Sequence, residues 1–489
     1  MNFISQLLFL IKKNIHWMFF ASLIFFLIAP NLLREGMFVD GIWYAAISNN
    51  LENGIGEFWL PSFTQTIYNK FYEHPPLVFW IQSVFFKVLG QSFWVERIYC
   101  FVIFLLTALI ISKIWKQIYS DNGKLAKLSY LPLILWILNF NTFFAYPNNV
   151  LECTLTVFTL TAILYLLYSL KSKGIKAFQF ILASGFFIFL GFLSKGLVAL
   201  YPLIFYVIIY IVYKENLKIQ MQRTIILCLS FILFLFILLW FEASRDFMSN
   251  YFNNQVLEAL SGNRVENMRE SRFYIFKGIF KALPISTGLS IVILIATFIL
   301  NKRIIPKNDK IKILYAFLLI AISSSLPLMI SLKQAGYYLV PSTPLYMLSL
   351  SVFIAPSFYF LKTKLHRNIK MLKSFSVIIL VLFFISLILA LTNIGTVDKR
   401  NREQLMNLKA INKIIPNHTI INFKAERLDH SVIGFYQRYN FISLDTSNTH
   451  KRDFLVIEKR IDSIKINNYK IIPSNSINYN VYKKMPTKF

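Results

Sequence analysis

At 489 residues, with 56% hydrophobic residues and a formal net charge of +28, the chain is too apolar for a soluble domain, whose apolar share is about 45–50%. Its mean hydropathy is +0.56, and the excess lies in runs of about 18 residues or more, long enough to cross a hydrocarbon core of roughly 30 Å. The charge would suit nucleic acid, but its distribution excludes that partner. Lys and Arg cluster in alternate loops, at 12–13, 113–127, 171–176, 214–223, 302–312 and 362–373, where the acids are Asp121, Glu215 and Asp309. This is the positive-inside pattern, and it places the N-terminus and these loops in the cytoplasm.

Eleven spans fit in chain order: 15–33, 93–115, 126–145, 149–169, 177–194, 196–213, 223–242, 274–300, 312–331, 338–361 and 374–393. The first lacks a small-residue cleavage site and reads as a retained helix rather than a signal peptide. The apolar stretch 76–90 is too short to span and reads as an interfacial or re-entrant helix. Counting it as a span would put every later basic loop outside. Cys100, Cys153 and Cys228 all fall in apolar segments and read as small core residues. The fold class expected is an all-α polytopic membrane protein with outer-face juxtamembrane helices. Its transmembrane domain is 1–393, with a catalytic outer loop at 34–92.

From about residue 394 the composition turns polar. Runs at 419–423, 441–444 and 453–457 alternate like strands, and 430–439 fits a helix. Residues 394–489 therefore read as a small α/β domain, extracytoplasmic because an odd number of spans separates it from the N-terminus.

The outer loops collect the acids and a few cations that run against the charge trend. Asp40 follows the first span, before Gly41. A solvated helix cap accounts for such a residue; the alternative is a general base or aligning acceptor for an incoming hydroxyl. Glu73-His74-Pro75-Pro76 marks a helix start, since proline suits a first turn and a helix N-terminus favours anions. A rigid turn explains it equally well. The Glu73–His74 pair raises the question of a divalent cation, although adjacent residues rarely face the same way. Glu152 lies just inside a span, where an ionisable group is costly and biased toward function, unless it snorkels to the surface. Lys195 sits at an outer junction, and Lys333 precedes Tyr337 and Tyr338. With Arg264, Arg269 and Arg272 they compose an anion site on one face, though each alone is an ordinary surface charge.

The ordered set Asp40, His74-Pro75-Pro76-Leu77, Leu193-Ser194-Lys195-Gly196 and Lys333 to Tyr337-Tyr338-Leu339-Val340-Pro341 resembles the C-type glycosyltransferases of the protein mannosyltransferase superfamily. In layout it is most similar to the branch that contains aminoarabinose–lipid A transferase, over about residues 1–345. The resemblance implies a sugar donor on a polyprenyl phosphate and an acceptor that is an envelope lipid, a glycan or a protein. It implies that Asp40 is the catalytic aspartate, that Glu152 is a second acid, and that Lys195 and Lys333 hold the lipid phosphate. Glu73 and the two tyrosines would line the substrate site, and His74 would support Asp40. Two departures stand out. Asp-Gly replaces the Asp-Glu of many relatives, and His74 stands where the lipid A branch usually has lysine.

The mechanism expected is an inverting transfer on the outer face of a cytoplasmic membrane. The rival reading is a transporter or flippase for a lipid-linked or anionic substrate. Transporters tend to place charges at mid-bilayer and to repeat broken helices. Here the charges gather at one face, and no internal repeat is visible.

Overall fold

The computed structural model describes residues 14–258, 271–300, 304, 306–447, 451–461 and 468–486. The chain folds into two compact units. One comprises 1–33, 101–147 and 151–394; the other comprises 34–100, 148–150 and 395–489.

The first unit is the membrane bundle. Among the described residues, eight helices are long and apolar enough to cross a membrane, or ten if each of two bent pairs is one span. The eleven expected spans counted 177–194 and 196–213 separately, whereas the apolar stretch Gly174–Tyr213 runs for 40 residues. It is not one straight helix. Gly196 (φ 74°) caps Gly174–Lys195, and a 3-10 segment, Gly196–Ile204, follows. The expected span 126–145 is a pair, Gly123–Ile137 and Phe140–Asn148, bent by 75°. The cause is local: Asn139 turns extended and its side chain accepts from the Asn141 amide, so it caps a new helix. A second bend of 47° separates Tyr274–Ala282 from Pro284–Ile299, where proline occupies the first helical position.

The second unit is built around the helix Val39–Glu52. Its central Ser48, Asn49 and Asn50 are all buried, which is affordable only with every polar group paired. Ser48 Oγ donates to Gln82 Oε1 (3.0 Å) on the helix Leu77–Leu89. Asn49 Nδ2 donates to the Arg438 carbonyl (3.2 Å), and Asn50 Nδ2 to the carbonyls of Ser62 and Phe63 (3.0 and 2.8 Å). Gln437 Nε2 donates back to Asn50 Oδ1 (2.9 Å). A short hairpin, β1 (Gly56–Glu57) and β2 (Leu60–Pro61), lies between the two helices in sequence.

The C-terminal residues supply a five-stranded sheet: β3 (Ile420–Lys424), β4 (Ser443–Asp445), β5 (Phe454–Glu458), β6 (Tyr469–Ile472) and β7 (Tyr479–Lys484), in the order β4-β3-β5-β7-β6. β3 pairs in parallel with β4 and β5, and the rest is antiparallel. The β3-to-β4 crossover contains the helix His430–Asn440, as a parallel pair requires. That helix packs on Val39–Glu52 at Gly434, where a Cβ would come within 2.7 Å of Ile42 Cγ2. Trp43 Nε1 donates to the His430 carbonyl (2.8 Å). Arg438 forms a fully buried ion pair with Glu96 (2.7 Å) and stacks over Phe86 at 4.4 Å. Residues 34–92, expected to belong with the spans, thus pack with 395–489.

Candidate functional site

Each unit carries one cluster of the residues singled out from the sequence. In the membrane bundle the helices Leu151–Leu170 and Gly174–Lys195 are neighbours joined by residues 171–173 alone. So short a link makes them antiparallel and brings the first turn of one beside the last turn of the other. Glu152 occupies that first turn and Lys195 that last turn. An acid at a helix N-terminus and a cation at a C-terminus both complement the helix dipoles. Lys195 Nζ lies 2.6 Å from Glu152 Oε1, with the side chains 10% and 2% exposed.

The Lys195 ammonium also lies 5.0 Å from the ring centroid of Tyr338, a cation–π contact. Tyr338 belongs to the 3-10 turn Gly336–Leu339. Tyr337 meets Tyr338 edge-on at 5.0 Å and stacks on Phe144 at 6.3 Å. Lys333 is half-buried just before this turn. The adjacent Gln334 donates to the carbonyls of Arg272 and Ser331, both at 2.8 Å, which ties residues 331–339 to the segment of Arg272. Arg272 itself is exposed, and Arg264 and Arg269 lie outside the described residues. Gly196 allows the close approach of Tyr251: its φ is 74°, and a Cβ there would collide with the Tyr251 hydroxyl.

In the second unit Asp40 lies half-exposed in the first turn of Val39–Glu52. Tyr44 is four residues on, so the two share a face of the helix. The Tyr44 ring meets His74 at 5.7 Å, and Phe71 meets His74 at 6.4 Å. Glu73 and His74 are half-exposed and precede the helix Leu77–Leu89, which starts two residues later than Pro75. The fold therefore brings Asp40, Tyr44 and His74 to one side of one helix. Among the described residues no three His, Cys, Asp or Glu side chains gather as a metal-ligand set.

Asn148 and Asn149 hold the Asp40 turn in place, a role the sequence reading did not assign. Asn148 Oδ1 accepts from the Phe38 amide (2.9 Å) at the helix cap and from Arg400 (3.2 Å). Asn149 adopts the left-handed conformation (φ 54°), which asparagine tolerates better than most residues. Its Nδ2 donates to the Gly41 carbonyl (3.0 Å), and Gln82 Nε2 donates to its Oδ1 (3.2 Å). The only sequence signal was the Pro147-Asn148-Asn149 turn itself.

The same contact explains why glycine follows Asp40. A Cβ on Gly41 would collide with the Asn148 backbone carbonyl and come within 2.8 Å of Met37 Sδ. No acid fits there without displacing the backbone. Gly41→Ala is expected to lower unfolding stability by about 1–3 kcal/mol, the usual range for overpacking, and Gly41→Glu by at least as much. Thermal unfolding of the purified protein checks both, and an unchanged melting temperature for Gly41→Ala would contradict the packing argument.

Residues 73–240 match the family model of dolichyl-phosphate-mannose-protein mannosyltransferases. No curated protein matches the chain by sequence. Among solved structures, the chain is similar to ArnT from Cupriavidus metallidurans bound to undecaprenyl phosphate, with a TM-score of 0.64 at 14% identity over 98% of both chains. The apo state of that protein gives 0.62 at 14% identity, again over 98% of both. The archaeal oligosaccharyltransferase AglB from Archaeoglobus fulgidus, in complex with an inhibitory peptide and a dolichol-phosphate, gives 0.50 at 11% identity over 88% of this chain and 65% of its own. The chain is thus a multi-pass membrane protein with the fold of ArnT from Cupriavidus metallidurans, and its residues 73–240 match the dolichyl-phosphate-mannose-protein mannosyltransferase family model.

Proposed function

We propose that the protein is an inverting glycosyltransferase. It moves a sugar from a polyprenyl phosphate to an envelope lipid, glycan or protein at the outer face of a cytoplasmic membrane. The observation that carries this reading is the buried Lys195–Glu152 pair against the Tyr338 ring. A lysine held in so apolar a setting needs an anionic partner. Glu152 supplies it at rest, and the phosphate of a lipid-linked donor is the anion the fold's relatives suggest.

In this mechanism the acceptor oxygen attacks the anomeric carbon while the carbon–oxygen bond to the lipid phosphate breaks. The lipid phosphate leaves with the bonding electrons, and the anomeric centre inverts. Asp40 aligns the acceptor hydroxyl and takes its proton, with His74 and Glu73 shaping the acceptor side. Lys195, steered by Glu152, neutralises the charge that develops on the departing phosphate. Lys333, Arg264, Arg269 and Arg272 add positive potential for the anionic donor, and Tyr337 and Tyr338 line its site.

A deletion strain tests the reading. Mass spectrometry of its lipids and glycans should find one sugar missing from an envelope component and a polyprenyl-phosphate sugar accumulated. An unchanged glycan and lipid profile would overturn it.

A further inference from the structure

A large cavity in the membrane bundle lies at the end of the helices away from Lys195. Its volume is about 1840 Å³, well above the roughly 300–1,000 Å³ of a small-molecule pocket. Tyr338, beside Lys195, precedes the helix Thr343–Arg367, and the cavity opens around Lys362 near the far end of that helix. At 1.5 Å per residue the two places are roughly 30 Å apart along it. The cavity is therefore not the Lys195 cluster, and nothing in the proposed transfer uses it.

The cavity walls are apolar, with Phe19, Ile134, Ile293, Phe358, Ile378 and Leu382 among them. Its rim carries Lys362, Lys364, Arg367 and Lys370 and no acidic residue. Among the described residues none of these four cations is in an ion pair. The rim also contains the junction at Asn368, where Ile369–Leu391 begins. The N-terminus of that 23-residue helix adds its positive dipole end to the same place.

One cation is fixed in position. Lys362 Nζ donates to the Tyr130 hydroxyl (2.9 Å), and the His16 ring stacks on Tyr130 at 4.8 Å. Among the described residues His16 Nε2 is buried without a hydrogen-bond partner, although His16 lines the cavity. A greasy chamber under a purely cationic rim, with one unpaired polar atom inside, matches a molecule with an anionic head and long apolar tails. Soluble anions would leave the chamber unused, and a zwitterionic lipid would leave the rim unneutralised.

We propose that this cavity binds an anionic glycerophospholipid of the cytoplasmic leaflet. Its phosphate sits among Lys362, Arg367, Lys370 and the start of Ile369–Leu391, and its acyl chains lie along Phe358 and Ile378. Basic pockets between transmembrane helices are recognised by such headgroups. The inference rests on the orientation given by the charge pattern and is independent of the transferase reading.

Native mass spectrometry of the full-length protein in detergent, with equal dioleoylphosphatidylglycerol and dioleoylphosphatidylcholine, tests it. The anionic phosphatidylglycerol should be retained preferentially. Arg367→Gln and Lys370→Gln should each lower its occupancy about fivefold, the worth of one cation at a membrane surface. Ile378→Trp should lower it with no change in charge, while Lys218→Gln, in another basic loop, should not. Equal retention of the two lipids, or the same occupancy in Arg367→Gln and Lys218→Gln, would overturn the proposal. So would displacement of the phosphatidylglycerol by equimolar undecaprenyl phosphate, which would make the cavity a second donor site.

Discussion

Asp40→Asn should lower the rate of sugar transfer about 10²–10⁴-fold, the span of a lost general base, while leaving the protein folded. The structure separates the two effects. Asp40 is half-exposed, and its helix is held by Asn148, Asn149, Gln82 and Gln437 through bonds that do not involve its carboxylate. Asparagine keeps the side chain's shape, and the charge lost at a helix N-terminus is worth about 0.3–1 kcal/mol. The melting temperature should therefore barely move. Turnover of a defined polyprenyl-phosphate sugar by reconstituted protein supplies the other half of the measurement. Since Asp40 is assigned to the acceptor, kcat should collapse while donor affinity holds. Full turnover in the variant would remove Asp40 from the mechanism.

The second large effect concerns Lys195. Lys195→Ala leaves the Glu152 carboxylate, 2% exposed, without its ion-pair partner. Breaking a buried pair from one side costs about 3–5 kcal/mol, so this variant should lose stability as well as activity. Pairing it with Glu152→Gln removes the buried charge and should recover most of the stability. The double variant should still bind undecaprenyl phosphate at least tenfold more weakly, because a hydrogen bond to a charged group is worth about 1.5–3 kcal/mol. Calorimetry of the single and double variants, with lipid-phosphate titrations, separates the structural part from the binding part. Wild-type lipid affinity in the double variant would free Lys195 of any role in holding phosphate.

Features resting on long apolar runs or on alternation were legible in the sequence. The spans, the short helix after Pro76 and the strands near 420, 443 and 454 are set by local patterns, and most helix ends lie within a few residues of the expectation. The strands Tyr469–Ile472 and Tyr479–Lys484 were missed, since their polar and charged residues hide the alternation. Helix Val39–Glu52 was expected only as a helix start near Asp40 within the outer loop, without its extent. Ser48-Asn49-Asn50 resembles a turn in sequence, and only a network of distant partners makes its burial tolerable. Lys195 and Glu152 were each singled out as charges in apolar surroundings, but not as a pair. The signal was present: two helices of 20 and 22 residues joined by a three-residue link place the first turn of one beside the last turn of the other. The clash that forbids an acid at position 41 was invisible, because it comes from a backbone carbonyl more than a hundred residues away.

The partners of Asn49 and Asn50 have a consequence for biosynthesis. The ribosome makes Val39–Glu52 long before Gln437 and Arg438, which bond its buried Asn49 and Asn50. Until then the Asn49 amide and Asn50 Oδ1 lack their native partners, and burying them unpaired is costly. The helix that carries Asp40 therefore reaches its fully paired form only once residues 437 and 438 have been made. A nascent chain stalled before residue 430 would have the Asn148 and Asn149 contacts at the Asp40 turn and would lack the partners of Asn49 and Asn50 Oδ1. Residues 437 and 438 thus complete the hydrogen bonding of a helix made well before them.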